Sequence, residues 1–456
     1  MSMADGFARV TGKPQCVIVH VDVGTQALGV AVHNASVGRA PVLVFAGMSP
    51  CTLEGELRSS WTEHIHWLQD VPDQKVVVGQ YCRYAAEIKT GANIKQIVNR
   101  ALQFATSGPQ GPVYLCAARE VLEADLEAYE IQQDQWDAVE LGGFSQKCAD
   151  RIARALARAD RPLLVTGNSG RNLHRLPWSG MRVGAHAAIK EADVILVLDC
   201  DVPWIPTRCR PRKEATIFYI DVDPLKQQMP LFYIASQAQY RADALTAVEQ
   251  ILQMLTTGQA AEMLGQRDTA AAEELRSASY TKLLSQISRA ARPFADGTFG
   301  TDYLSSLLRR VCPEETIWAV EAVTNATFIH DNIQPSIPGS WINCGGGGLG
   351  WSGGGALGIK LATDSEAGGS GKGKFVCQIV GDGTYLFSVP GSVYWISKRY
   401  KIPVLTIVLN NDDGEAATAT NKDINISFSP CPDDAGIAAA AGAATFTPSG
   451  RAVRTN

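Results

Sequence analysis

Residues Gly381–Asp413 read GDGTYLFSVPGSVYWISKRYKIPVLTIVLNNDD, and this stretch decides the fold. It is entered through an apolar run, Phe375–Val380 (FVCQIV), of the length of a buried strand. Gly381-Asp382-Gly383 stops that run abruptly. A helical segment follows, in which Val393, Ile396 and Tyr400 recur at helical spacing on one face. A second apolar run, Pro403–Leu409, ends in Asn410-Asn411. Two strands joined by a helix predict a parallel unit that brings Asp382 and the asparagines to one sheet edge. In α/β sheets that carboxyl edge is where ligands sit. Carboxylate and amide oxygens are hard donors, suited to Mg²⁺ held beside phosphates. Gly381 and Gly383 leave the backbone open to a diphosphate. The plainer alternative is a βαβ crossover whose ends carry turn residues and nothing more.

Outward from this stretch, the 456 residues suffice for two or three domains. Hydrophobic residues make up 46% and charged residues 19%, enough for large cores. The net charge of −5, without a dense basic stripe, argues against nucleic acid or an anionic membrane surface as partner. The 11 cysteines are scattered and include no C-x-x-C pair, which predicts reduced, mostly buried thiols. No apolar run reaches the ~20 residues of a membrane span, and no signal-peptide core opens the chain. These features predict a cytoplasmic protein, although a targeting segment could be missing from the N-terminus.

Three α/β layers are predicted. In residues 1–120, Cys16–Val21, Val42–Ala46 and Val113–Cys116 are strand candidates, and Ile94–Ala105 is an amphipathic helix. Residues 121–142 are acidic and polar and read as a linker. A second unit, 145–265, carries Leu163–Thr166, Val194–Leu198 and Thr216–Ile220 as strands, the last closed by Asp221-Val222-Asp223. An acid at a strand end can meet a ribose, but G-x-G-x-x-G is absent and Gly167-Asn168-Ser169-Gly170 matches only in part. The alternative is a structural domain without nucleotide. In a third unit, 302–456, Thr316–Val320 is a strand, and the run Asn343–Lys360 (NCGGGGLGWSGGGALGIK) opens an Ala/Gly helix. Thr363–Lys374 reads as a mobile surface loop.

The GDG…NN pair resembles the motif of thiamine-diphosphate (ThDP) enzymes, the group of acetolactate synthase, pyruvate decarboxylase and benzoylformate decarboxylase. The opening Ala4–Pro14 (ADGFARVTGKP) resembles the start of their pyrimidine-binding domain. The resemblance implies the order pyrimidine-binding, central Rossmann-like and diphosphate-binding domain. It implies Mg²⁺ held by Asp382, Asn411 and the carbonyl of Asp413. Gly381, Gly383, Thr384, Thr324 and Asn325 would then meet the diphosphate, and Gly24 and Thr25 the turn after the first strand. Leu349 would be the bulky residue on which the cofactor bends; Leu there is more like benzoylformate decarboxylase than the synthases, which usually carry Met.

His64 and His66, in Trp61–Asp70 (WTEHIHWLQD), fall in a segment that resembles the substrate-facing loop. They either move protons or are plain surface residues.

The implied function is decarboxylation of a 2-oxo acid, with or without ligation to a second carbonyl compound, in a homodimer or homotetramer. The alternatives are an aryl-2-oxo acid decarboxylase and a non-catalytic paralogue acting as a binding or regulatory subunit. FAD in the central domain is a further, weaker expectation. The family's activating Glu lies upstream of the ADG segment, where only Met1-Ser2-Met3 stand here, and the first Glu is Glu54. The central domain and both ends look shortened against the family. The expectation is a chain that lacks its N-terminal part, and weak catalysis by the chain as written.

Overall fold

The computed structural model describes residues 1–167, 187–232, 234–267, 270–410, 428 and 430–444. Among them, twelve strands form three four-stranded sheets, every pairing parallel. The N-terminal sheet comprises β1 (Gln15–Val19), β2 (Val42–Met48), β3 (Tyr84–Ile88) and β4 (Val113–Ala118), in the order β1-β2-β4-β3. The central sheet runs β5 (Pro162–Thr166), β6 (Val194–Leu198), β7 (Thr216–Asp221) and β8 (Ala238–Arg241) in sequence order. The C-terminal sheet comprises β9 (Ile317–Glu321), β10 (Trp341–Asn343), β11 (Val376–Gly381) and β12 (Leu405–Leu409), in the order β10-β9-β11-β12. The three parallel-sheet domains expected from the sequence are present.

Inner strands explain why these segments form strands at all. β4 (VYLCAA), β6 (VILVL) and β9 (IWAVE) are buried at every position, as strands covered on both faces must be. β1, at an edge, alternates between half-buried and exposed. Helices cover the faces: Ile94–Thr106 buries Ala101 and Ala105 against Leu43, Ile88 and Leu115. Gln146–Arg158 buries Ile152 and Ala153 against Leu196, Leu198 and Phe218 of the central sheet.

Two units emerge from the packing. One holds residues 1–139, 292–329 and 339–456, and with them the N- and C-terminal sheets; the other holds 140–291 and 330–338, and with them the central sheet.

Within the first unit, the helix Ser2–Thr11 lies against the helix Trp351–Glu366. Small residues permit the approach. A Cβ on Gly6 would stand 2.3 Å from the Gly355 carbonyl oxygen, and one on Gly358 2.0 Å from that of Met3. Asp5, fully buried, pairs with Arg9 at 3.8 Å. Arg9 in turn donates to the Asn343 carbonyl at 2.6 Å and lies over the Trp351 ring. The ADGFAR segment is thus a helix–helix contact.

The glycine run has a similar explanation. Asn34 clamps Gly348 from both sides, its Nδ2 donating to the Gly348 carbonyl (2.7 Å) and its Oδ1 accepting from the Gly348 N–H (3.1 Å). A Cβ on Gly345 would collide with Gly38 N at 2.2 Å. The close approach that Gly345–Gly348 allow is to the helix Gly29–Val37. Gly350 differs, because its φ of +97° suits only glycine, and a Cβ there would meet the Phe387 carbonyl at 2.4 Å.

Two local expectations change. Thr363–Glu366 belongs to the last turn of the Trp351–Glu366 helix, and the loop after it is tied down. Asp364 accepts from Gly373 N at 2.7 Å and pairs with Lys360 at 2.9 Å, while Lys360 also donates to the Gly373 and Lys374 carbonyls. In Pro390–Tyr400, Val393 and Ile396 are half-buried, but Tyr400 is exposed at the helix end.

Candidate diphosphate and metal site

Register brings the C-terminal strand ends together. Val380 pairs with Glu321, and Gly381 with Leu409, so β9, β11 and β12 finish side by side. Ala322–Asn325, Asp382–Thr384 and Asn410 therefore leave one edge. The helix Asp382–Phe387 begins directly after β11. Nothing described lies within 4 Å of a Cβ built on Gly381, and only the Phe428 ring, at 3.8 Å, faces one on Gly383.

The Asp382 side chain is half-buried. Among the described residues, no hydrogen bond or ion pair reaches it. At the end of the neighbouring strand, Asn410 Oδ1 is buried without a hydrogen-bond partner among the described residues, while its Nδ2 lies 3.0 Å from Cys431 Sγ. A carboxylate that no cation of the described residues reaches and an unpartnered amide oxygen are hard donors of the kind a divalent ion takes. Asn411 and Asp413 lie outside the described residues.

Of the other expected contacts here, Thr324 is exposed and Thr384 buried. Asn325 is buried, and its Oδ1 accepts from Thr301 Oγ1 at 3.2 Å. Leu349 is 40% exposed, large and apolar, beside Gly350.

Glu321 was not legible as a site residue. It is 2% exposed, and its two oxygens accept the N–H groups of Gly350 (3.0 Å), Trp351 (3.2 Å) and Ser352 (2.7 Å). It caps the Trp351–Glu366 helix and fixes Leu349-Gly350 beside the edge. Burial raises its carboxyl above the ordinary range against the pull of those N–H groups. Ser352 continues inward: Gln378 Nε2 donates to its hydroxyl (2.9 Å), and Thr406 Oγ1 donates to Gln378 Oε1 (2.9 Å). One buried chain of polar groups thus joins β9, β11 and β12 below the site.

The carboxyl edge of the N-terminal sheet carries a second cluster. Gln74, 3% exposed, accepts from Asp22 N–H (2.8 Å) and donates to the Gly47 carbonyl (2.9 Å) and the Tyr114 hydroxyl (2.8 Å). Thr25 is fully buried, with its hydroxyl 2.8 Å from that of Tyr114. Gly24 stands against β1, where a Cβ would lie 3.0 Å from Val19 Cβ. Asp22 holds φ of +43°, a strained value for a non-glycine residue, and accepts from Gln26 Nε2 at 3.0 Å.

His64 is exposed and His66 half-buried, both on the helix His64–Gln69. His66 stacks on His20, with ring centroids 5.8 Å apart, and its Nε2 lies 3.7 Å from Glu63. His20 follows β1 directly; only its place at a strand end could have drawn attention to it.

At the central sheet the acids are taken. Asp221 is fully buried and paired with Lys226 at 2.5 Å; Lys226 also meets Asp201 at 2.7 Å and lies over the Tyr219 ring. Asp223 accepts from the Gln227 N–H. Asn168-Ser169-Gly170 and the shortened stretch up to residue 186 lie outside the described residues.

Three parallel α/β sheets, the last with an acid between two glycines at a strand end, can be set beside known proteins. Residues 1–77 match the family model described as thiamine pyrophosphate enzyme, N-terminal TPP binding domain, and residues 322–451 match its C-terminal TPP binding domain. The chain is thus similar at both ends to thiamine pyrophosphate enzymes.

It is 31% identical over 179 residues to a putative acetolactate synthase large subunit, IlvB2, of Mycobacterium tuberculosis, a match covering 37% of this chain and 30% of that one. It is 21% identical over 448 residues to benzoylformate decarboxylase of Pseudomonas aeruginosa, covering 90% of this chain and 77% of the other. Among solved structures, benzoylformate decarboxylase from Polynucleobacter necessarius superposes with a TM-score of 0.71 at 17% identity, covering 98% of this chain and 84% of that one. Among the described residues, no helix is long and apolar enough to cross a membrane.

Proposed function

We propose that this chain binds ThDP through Mg²⁺ at the edge formed by Thr324, Asn325, Gly381–Thr384 and Asn410, and that it decarboxylates a 2-oxo acid, with or without ligation to a second carbonyl compound. The carrying observation is Asp382, a strand-end carboxylate with no cation from the described protein, set beside an orphaned amide oxygen and open glycines. Asp382 would hold the metal, with Asn411 and the Asp413 carbonyl completing the ligands by the family resemblance. Bound ThDP supplies an electron sink for the carbon that loses CO₂. Leu349 offers the apolar surface on which the cofactor bends. His66 and His64 are the candidates for moving protons at the substrate.

A 2-oxo acid is the proposed partner, together with a second copy of the chain. Exposed Val23, Trp67, Leu68, Val323, Phe387 and Trp395 support association, since large apolar side chains left in water favour a covered interface. Leu349 and the match to benzoylformate decarboxylase, over 90% of this chain and 77% of that one, favour an aryl-2-oxo acid as the second reading. Release of CO₂ from pyruvate and from benzoylformate, with ThDP and Mg²⁺ present or chelated, is the test. Metal-dependent release from either acid is expected. ThDP binding with release from neither would leave a binding or regulatory subunit.

A further inference from the structure

Resting on the proposed function above, we infer that Arg119 and Glu120 are positioning residues, forming a clasp that sets the segment carrying His66 over the carboxyl edge of the N-terminal sheet. They follow β4 directly, so their backbone is fixed by the inner strand of that sheet. Glu120 is 4% exposed. Its Oε1 accepts from Cys51 N (2.8 Å), Thr52 N (2.9 Å) and Thr52 Oγ1 (2.7 Å). The Thr52 hydroxyl also lies 2.6 Å from that of Ser60, and the Thr52 carbonyl accepts from Trp61 N at 3.0 Å.

Arg119 holds the far side of the same loop. Its Nε donates to the Ser59 carbonyl (3.0 Å), and its Nη2 to the Ser60 carbonyl (2.8 Å) and Thr62 Oγ1 (2.9 Å). Its Nη1 donates to Glu63 Oε2 at 2.7 Å, and that same oxygen lies 3.7 Å from His66 Nε2. Between the two anchor points the loop is exposed, with Leu53 and Leu57 each 55% in solvent. An exposed loop without apolar anchors has little packing to hold it, so its geometry falls to these charge-assisted hydrogen bonds.

The division of labour is clear from the partners. Glu120 fixes where the loop begins, at Cys51-Thr52. Arg119 fixes where it ends, at Ser59–Glu63, immediately before the helix His64–Gln69. Through Glu63 it also bears on the His66 ring, which Trp61 meets edge-on and His20 stacks against. A side chain that must move a proton at a substrate has to be held closely, and supporting hydrogen bonds supply that.

The test uses the full chain with Glu120→Ala, Glu120→Gln and Arg119→Lys. Hydrogen exchange is followed by mass spectrometry, and the His66 ring signal by NMR with ¹³C-labelled histidine, assigned through His66→Gln. In Glu120→Ala the amides of 51–52 should exchange about tenfold faster or more, with 376–409 unchanged, and the His66 signal should move. Glu120→Gln, which keeps an acceptor oxygen, should restore part of both. In Arg119→Lys, which loses the two-sided fork, faster exchange should fall on 59–63 while 51–52 stay protected. With turnover as a third readout, kcat should fall while calorimetric ThDP affinity stays within about twofold. Unchanged exchange at 51–63, or a His66 signal indifferent to both residues, would overturn the clasp. A wild-type chain that binds no ThDP would sink the proposed function instead, and exchange and NMR would still decide the clasp.

Discussion

The central and C-terminal sheets are both four parallel strands, and both carry an aspartate at the end of an inner strand, Asp221 as the last residue of β7 and Asp382 directly after β11, yet the two acids are partnered differently among the described residues. At the central edge, Asp221 is fully buried and shares Lys226 with Asp201. The charge is balanced from within the chain. At the C-terminal edge, Asp382 has no such cation among the described residues, of which none comes within 4 Å of a Cβ on Gly381 and only the Phe428 ring, at 3.8 Å, approaches one on Gly383. An acid at a strand end is therefore a poor indicator of a site when taken alone. What distinguishes the two edges is whether a neighbouring residue already neutralises the acid.

The largest expected effect breaks the closed edge. Lys226→Met leaves Asp221 buried without its cation, and removing one partner of a buried ion pair typically costs ~3–5 kcal/mol. Denaturant unfolding should show that loss in the central unit. Lys226→Met with Asp221→Asn should recover most of it, since no charge then remains unpaired. Equal stability of wild type and Lys226→Met would mean that the central edge is closed by something other than this pair.

A smaller effect concerns what supports the open edge. The helix that leads away from Gly350 is seated on Ser2–Thr11 through glycine contacts. Gly358→Ala, whose Cβ would stand 2.0 Å from the Met3 carbonyl, must push the two helices apart. Overpacking of this kind costs ~1–3 kcal/mol. Thermal unfolding should register it, whereas Gly381→Ala, with nothing described within 4 Å, should leave stability nearly unchanged and weaken cofactor binding.

The smallest effect is a pH dependence at the N-terminal sheet. Burial would raise the Glu120 carboxyl, but the Thr52 hydroxyl and the N–H groups of Thr52 and Cys51 outweigh it and hold the carboxyl below the ordinary 4.5. A depressed carboxyl stabilises the fold at pH values above its unfolded-state range, and that contribution is lost as pH falls through the lower folded value. Glu120→Gln should therefore lower stability at neutral pH, with the deficit shrinking as pH falls below about 4.5, so that the acid side of the stability profile flattens. A parallel downward shift at all pH values would show that the charge is not what matters.

Much of this comparison was legible in the sequence, for reasons the structure makes plain. Inner strands such as Val194–Leu198 and Val113–Cys116 declare themselves because both faces are covered and every residue is apolar. The strands that went unseen, Tyr84–Ile88, Ala238–Arg241 and Trp341–Asn343, all lie at sheet edges. An edge strand has one neighbour and partial cover, so it needs neither length nor unbroken apolar character. Asp382 stood out because glycines flank it at a strand end. Glu321, Gln74 and Glu120 could not, because each works through backbone groups far away in sequence, and no local pattern records such a partner. The glycine run was visible, but its main partner, Asn34, lies 314 residues upstream of Gly348.

The most direct measurement is calorimetric titration of ThDP into the wild-type chain, Asp382→Ala and Asp223→Ala, each with Mg²⁺ and with chelator. If Asp382 is the open acid, wild type and Asp223→Ala should bind ThDP only with Mg²⁺, and Asp382→Ala should bind at least about a hundredfold more weakly, the loss of a metal's principal charged ligand. Equal affinity of wild type and Asp382→Ala in the presence of Mg²⁺ would contradict it.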